Sequence, residues 1–222
     1  MSAAALLFDL DGTLVDSDAQ HLSAFQRVFA PFGVAVDQDA YNAHIHGASN
    51  ELIGRMFLPH LSPERQRATL EEKEVVFRAG LGDIEPIPGS AALLDLADRL
   101  GLARAVVTNA PRANAVAVLA ALGLADRLPI VVFGSELERA KPDPLPYKRA
   151  LELTGAAAAR SVAFEDSATG VRSAAAAGLA VVGLMSSLDE AALMAAGALF
   201  AAADFTDPRI VALIGERVGQ GS

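Results

Sequence analysis

Short, nearly continuous apolar runs at 3–8, 103–108, 130–133, 161–165 and 180–184 constrain what this chain can fold into more than any other feature. Each is too short for a helix and lacks the strict alternation of a strand with one wet face. Each therefore reads as a strand buried on both faces of a parallel sheet. From residue 90 onward the runs alternate with helical patterns over 90–100, 112–122, 145–154, 168–177, 188–196 and 208–217, and a further short strand is expected at 198–201. Such alternation implies right-handed crossovers and an α/β fold built on a doubly wound parallel sheet. Ligands of sheets of this type gather beyond the carboxyl ends of the strands.

Between the first and second runs no strand-like segment occurs. Asp16, Ser17 and Asp18 are good helix-capping residues, and Leu22, Phe25, Val28 and Phe29 follow at helical spacing until Pro31 and Gly33 stop the pattern. Further helical patterns cover 37–44, 49–57 and 63–79, punctuated by Gly47, Pro59 and the stretch from Gly80 to Gly82. Pro86, Pro88 and Gly89 mark the return to alternating strands and helices. The expected organisation is an α/β core domain from 1–15 and 84–222 with an inserted all-helical domain at 16–83.

The strand ends carry the chemistry. The first run leads into Asp9 and Asp11, which period-2 alternation sends the same way, and Gly12 permits a tight turn that exposes backbone N–H groups. Two carboxylates converging on one point repel unless a cation lies between them, most simply a hard metal such as Mg²⁺. The second run ends in Thr108 and Asn109, a hydroxyl and an amide able to meet a phosphoryl oxygen without adding charge. Lys141 follows the third run in a segment stiffened by Pro142 and Pro144. The fourth run ends in the adjacent carboxylates Glu165 and Asp166.

Composition narrows the partners. With 222 residues, 52% hydrophobic and 20% charged, the chain is long enough for one good core plus an inserted module. A net charge of −9 without a basic stripe disfavours nucleic acid, so an anionic small substrate must be met by local cations and metal. The absence of cysteine excludes disulfides, zinc–thiolate sites and thiol catalysis. No secretory peptide is visible, and the alanine-rich stretches are too short and interrupted to span a bilayer. A cytoplasmic protein is expected, with no membrane partner, as a monomer or weak homodimer.

At Asp9-Leu10-Asp11-Gly12-Thr13-Leu14-Val15, Thr108, Lys141-Pro142-Asp143-Pro144 and Glu165-Asp166-Ser167 the sequence resembles the haloacid dehalogenase-like phosphohydrolases, whose core is Rossmann-like. The resemblance covers nearly the whole chain, with the motifs in family order. It implies that Asp9 is the nucleophile and Asp11 the general acid and base. It further implies that Thr108, Lys141, Asn109 and the backbone around Gly12 bind phosphate. Mg²⁺ would be held by the Asp9 carboxylate, the Asp11 carbonyl and Asp166, with Glu165 binding directly or through water. The dehalogenases that named the group lack a carboxylate at the position of Asp11, so its presence favours phosphoryl transfer.

The helical insertion after the first motif resembles the branch that contains β-phosphoglucomutase and many small-metabolite phosphatases, in which the insertion is a cap that sets the substrate. His21 sits where the first cap helix could overhang the site. His44 and His46 flank Ile45 and lack a metal-spaced partner. The expectation is a phosphatase acting on a sugar phosphate or similar small phosphomonoester. The alternative is a mutase, which needs a cap cation for a second phosphate. Ser49 and Asn50 stand where β-phosphoglucomutase carries an arginine, and Arg55, Lys73 and Arg78 are the remaining candidates. An inactive binding module would be marked by loss of a carboxylate or the lysine, and all are present.

Overall fold

The computed structural model describes residues 3–45, 48, 50–82 and 84–219, so His46, Gly47 and Ser49 lie outside the described residues. The chain divides into two compact units, one comprising Met1–Asp16 with Ile84–Ser222 and the other Ser17–Asp83.

The first unit is an α/β layer structure. Its strands are β1 (Ala5–Phe8), β2 (Ala103–Thr108), β3 (Val131–Phe133), β4 (Val162–Glu165), β5 (Ala180–Leu184) and β6 (Phe200–Ala202). They form one six-stranded sheet in the order β3-β2-β1-β4-β5-β6, with every pairing parallel. The order reverses at β1, which pairs with β2 on one side and β4 on the other, bringing Phe8 level with both Val106 and Phe164. The residues that follow these three strands therefore converge on a single point, where ligands of doubly wound sheets bind.

Full burial explains why the strands read as apolar runs. Ala5, Leu7, Ala105, Val107, Val132, Ala163, Val181 and Ala201 line one face of the sheet in a single buried cluster with Tyr147, Leu151, Val171 and Leu193 from the helices. On the alternate positions Phe8 and Phe164 stack with ring centroids 5.1 Å apart, and Phe205 meets both edge-on. The expected strand at 198–201 lies instead at Phe200–Ala202. Leu199 is 48% exposed, so the apolar window that suggested it is only partly buried.

The helices of the second unit are α1 (Asp18–Phe29), α2 (Gln38–His44), α3 (Asn50–Phe57) and α4 (Pro63–Ala79). The Asp37 side chain accepts the Ala40 N–H at 2.8 Å and Ser62 caps α4 with Pro63 in its first turn. The unit has its own core of Phe25, Val28, Phe29, Tyr41, Ile53, Leu58 and Leu70. The remaining helices belong to the α/β unit: α5 (Ser90–Leu100), α6 (Arg112–Ala121), α7 (Leu145–Thr154), α8 (Ala168–Ala176), α9 (Glu190–Ala196) and α10 (Pro208–Val218). Where the chain leaves and re-enters the α/β unit, Ile87 donates to the Leu14 carbonyl at 2.9 Å and Val15 bridges Pro86. No described helix is long and apolar enough to cross a membrane.

Candidate active site

Asp9 directly follows β1, its N–H bonded to the Phe164 carbonyl of β4 at 3.0 Å, so its position is fixed by the sheet itself. Glu165 is the last residue of β4 and Asp166 follows it. All three carboxylates are buried, and one oxygen from each falls within 4.8 Å of the others. Lys141 enters from the loop after β3, through a segment whose Lys141–Pro142 bond is cis. Its ammonium donates to Asp9 Oδ1 at 2.5 Å and Glu165 Oε1 at 2.6 Å, with the lysine side chain only 4% exposed.

Three carboxylates around one ammonium leave excess negative charge in a buried place. Burial is the largest cause that raises Glu165, to about 7, against the pull of Lys141. Burial also raises Asp166 well above the usual carboxylate range, helped by the charges of Asp9 and Glu165 and opposed by the hydrogen bond from Ser187. Burial alone would lower Lys141, but Asp9 and Glu165 outweigh it and raise its pKa above the ordinary lysine value. The cluster is thus short of positive charge, and an all-oxygen donor set of this type suits a hard divalent cation.

Two glycines make room for the carboxylates. Gly12 sits at φ +78, and a Cβ there would overlap the Asp166 carboxylate. A Cβ on Gly170, in the first turn of α8, would overlap Glu165. The Gly12 N–H does not face outward as expected from the sequence: it donates to the Val15 carbonyl at 2.7 Å, closing the loop after β1. Asp11 is half-buried and its carboxylate is not one of the three clustered groups.

Thr108 ends β2 and is buried. Its Oγ1 accepts the Ala110 N–H at 2.9 Å, which leaves the hydroxyl proton available for donation. The Asn109 side chain spans the Lys141 backbone, donating to its carbonyl at 3.4 Å and accepting its N–H at 3.3 Å. Asn109 therefore ties the end of β2 to the lysine loop.

Three contributors carry no motif in the sequence: Tyr147, Ser186 and Ser187. Tyr147 on α7 is fully buried and donates to Glu165 Oε1 at 2.6 Å. Burial, then the Glu165 charge, raises this phenol well above its usual value, so it remains a donor. After β5, the Ser187 hydroxyl donates to Asp166 and the Ser186 hydroxyl to the Gly12 carbonyl. Tyr147 lies in the first turn of the helix that follows the lysine loop, where a buried aromatic reads as core and no local signal marks its hydroxyl. The serines follow a strand with no polar pattern, and nothing local marks them.

His21 lies in the helical unit, stacked on Phe77 with ring centroids 3.9 Å apart, its Nδ1 3.4 Å from the ammonium of Lys73. Lys73 is itself buried, paired with Glu74 at 2.9 Å.

The protein CbbY of Rhodobacter capsulatus is 34% identical over 193 residues, covering 82% of this chain and 85% of that one. The 2-deoxyglucose-6-phosphate phosphatase 1 of Saccharomyces cerevisiae is 30% identical, covering 95% of this chain and 91% of that one. The crystal structure of CbbY from Rhodobacter sphaeroides in complex with phosphate superposes with a TM-score of 0.79 at 30% identity, over 93% of this chain and 96% of that one. The family model for haloacid dehalogenase-like hydrolases matches residues 3–178, and the chain belongs to that family.

Proposed function

We propose that this enzyme is a Mg²⁺-dependent phosphomonoester hydrolase that acts on a small phosphorylated metabolite such as a sugar phosphate, through an aspartyl-phosphate intermediate. The observation that carries the reading is the buried Lys141 ammonium bridging Asp9 and Glu165 where β1, β2 and β4 end together. The phosphate esters named for the yeast relative, and the phosphate in the CbbY structure, support the substrate class.

Asp9, Asp166, the Asp11 carbonyl and Glu165, directly or through water, would hold the metal. When bound, Mg²⁺ would neutralise the phosphate and the carboxylates around it. Asp9 attacks phosphorus in line with the ester oxygen. As the P–O bond to the alcohol breaks, Asp11 gives its proton to the departing oxygen. Water then attacks the phosphoryl group on Asp9, Asp11 takes the proton back, and the Asp9 carboxylate is released with inorganic phosphate. Lys141, the Thr108 hydroxyl and backbone N–H groups after Asp9 hold the phosphoryl oxygens while charge shifts from ester to carboxylate. Asn109 contributes by setting the lysine loop. The helical unit corresponds to the cap that sets the substrate in this branch of the family, and His21 is its candidate substrate contact.

Hydrolysis is favoured over mutation of a phosphosugar because Ser49 and Asn50 stand where β-phosphoglucomutase carries an arginine, and Lys73 is buried beside Glu74 at 2.9 Å. Asn50 donates to Glu74 at 3.2 Å. A panel of phosphate esters assayed with Mg²⁺ tests the reading through released inorganic phosphate. Incubation with β-glucose 1-phosphate and its bisphosphate separates the two outcomes, since a mutase would yield glucose 6-phosphate in place of free phosphate.

A further inference from the structure

Tyr147 belongs to the apolar layer beneath the sheet, among residues such as Ala5, Ala105 and Ala163, and is fully buried there. A phenylalanine would fill the same space, so packing accounts for the ring and leaves the hydroxyl to be explained. That hydroxyl donates to Glu165 Oε1 at 2.6 Å, the oxygen that also receives the Lys141 ammonium at 2.6 Å. The tyrosine ring lies 5.3 Å from the same ammonium. Glu165 Oε2, by contrast, has among the described residues only the longer hydrogen bond from the Ser167 hydroxyl at 3.3 Å. The two oxygens of one carboxylate are thus used unequally, and Tyr147 helps impose the difference.

We infer that Tyr147 is a positioning residue for phosphoryl transfer: by occupying Oε1 of Glu165 together with Lys141, its hydroxyl fixes the carboxylate and the lysine and leaves Oε2 as the oxygen open to a divalent cation. This rests on the phosphomonoesterase reading above. Tyr147 touches no reacting atom and acts through Glu165 and Lys141. The ammonium is also held by Asp9 at 2.5 Å and the carboxylate by the phenol, so loss of the phenol leaves Glu165 Oε1 with Lys141 as its remaining short contact among the described residues.

The test is Tyr147→Phe, with kcat, KM and Mg²⁺ affinity measured separately. The loss of one hydrogen bond to a charged acceptor should lower kcat by about tenfold or more, with KM for the ester changed by less than about twofold because uniform binding is untouched. Calorimetric titration of the resting protein with MgCl₂ should show affinity weakened by about tenfold, at the low end of the effect of losing an outer partner of a metal ligand. Leu151→Ala, on the same helix and in the same cluster, should lower the melting temperature while leaving kcat, KM and Mg²⁺ affinity near wild type. In a Glu165→Gln background the Phe substitution should add less than about twofold, because the two groups act as one unit. Tyr147→Met supplies the same readouts if the Phe variant fails to fold.

Unchanged kcat and Mg²⁺ affinity in the Phe or Met variant, or full additivity with Glu165→Gln, would overturn the inference. If the wild-type enzyme hydrolyses no ester, the phosphomonoesterase reading fails instead, and the calorimetric comparison still decides whether Tyr147 shapes the metal site.

Discussion

Lys141 in the α/β unit and Lys73 in the helical unit are equally buried, each side chain only 4% exposed, yet their surroundings differ in kind. Lys141 meets carboxylates delivered by two strands distant in sequence, Asp9 at 2.5 Å and Glu165 at 2.6 Å. Lys73 pairs with its neighbour Glu74 and lies 4.7 Å from the Phe25 ring centroid and 5.9 Å from that of Phe77. The first arrangement surrounds one cation with too much negative charge. The second packs a cation among rings beside the carboxylate of its chain neighbour Glu74, as a helix-packing element does. Burial of a charge is therefore not the mark of a reactive site; an unbalanced charge at a convergence of strand ends is.

Replacing each lysine with methionine is the strongest way to break this contrast. Lys141→Met should reduce kcat by about 10²–10³-fold, the range for loss of one preorganised electrostatic partner. Lys73→Met should lower the melting temperature and leave kcat within about twofold of wild type, as for a packing residue. Steady-state assays on one ester compare them directly, and equal losses would erase the distinction.

Charge imbalance also predicts an unusual pH response of the metal-free protein. The folded pKa of Glu165 is raised from 4.5 to about 7 and Asp166 is raised too. The folded state thus holds these protons more tightly than the unfolded chain, and the stability they confer is lost as pH rises from 4.5 through about 7. In chelator the melting temperature should be several degrees higher near pH 5.5 than near pH 8. Added Mg²⁺ should restore the difference at the higher pH, since the cation binds the ionised carboxylates of the folded state. A flat profile, or no response to Mg²⁺, would mean that the cluster is balanced without a metal.

The smallest effect concerns Thr13 in the first motif. It is fully buried, and its hydroxyl oxygen has no hydrogen-bond partner among the described residues. Thr13→Val should therefore keep activity and stabilise the fold by about 1 kcal/mol, measured by denaturant unfolding. Destabilisation would indicate that the hydroxyl has a use the carboxylate cluster does not account for.

The sequence was legible where physics is local. A strand buried on both faces must be an apolar run, and groups placed immediately after such runs are carried to one edge of the sheet; Asp9, Thr108, Glu165 and Asp166 could be picked out on that basis. Lys141 was legible only through the resemblance of Lys141-Pro142-Asp143-Pro144 to the family's motif, since a lone lysine in a loop reads as surface. Tyr147 was not, because a buried aromatic on a helix looks like core, and its partner Glu165 is 18 residues away. The Gly12 N–H turned inward because the loop closes on Val15, a choice that dihedral freedom alone does not dictate. The last strand slipped because alanine-rich segments have almost no periodicity to read. In the helical unit, His21 carries no pattern that distinguishes a ring stacked on Phe77 from one that contacts substrate.

The most direct measurement is inorganic phosphate released from 2-deoxyglucose 6-phosphate and p-nitrophenyl phosphate by wild type and Asp9→Asn, each with MgCl₂ and with chelator. The account predicts turnover by wild type with Mg²⁺, its loss in chelator, and less than about 1% residual activity in a folded Asp9→Asn protein, as removal of a nucleophile demands. Hydrolysis by Asp9→Asn above about 1% of the wild-type rate, with contaminating phosphatase excluded, would contradict it.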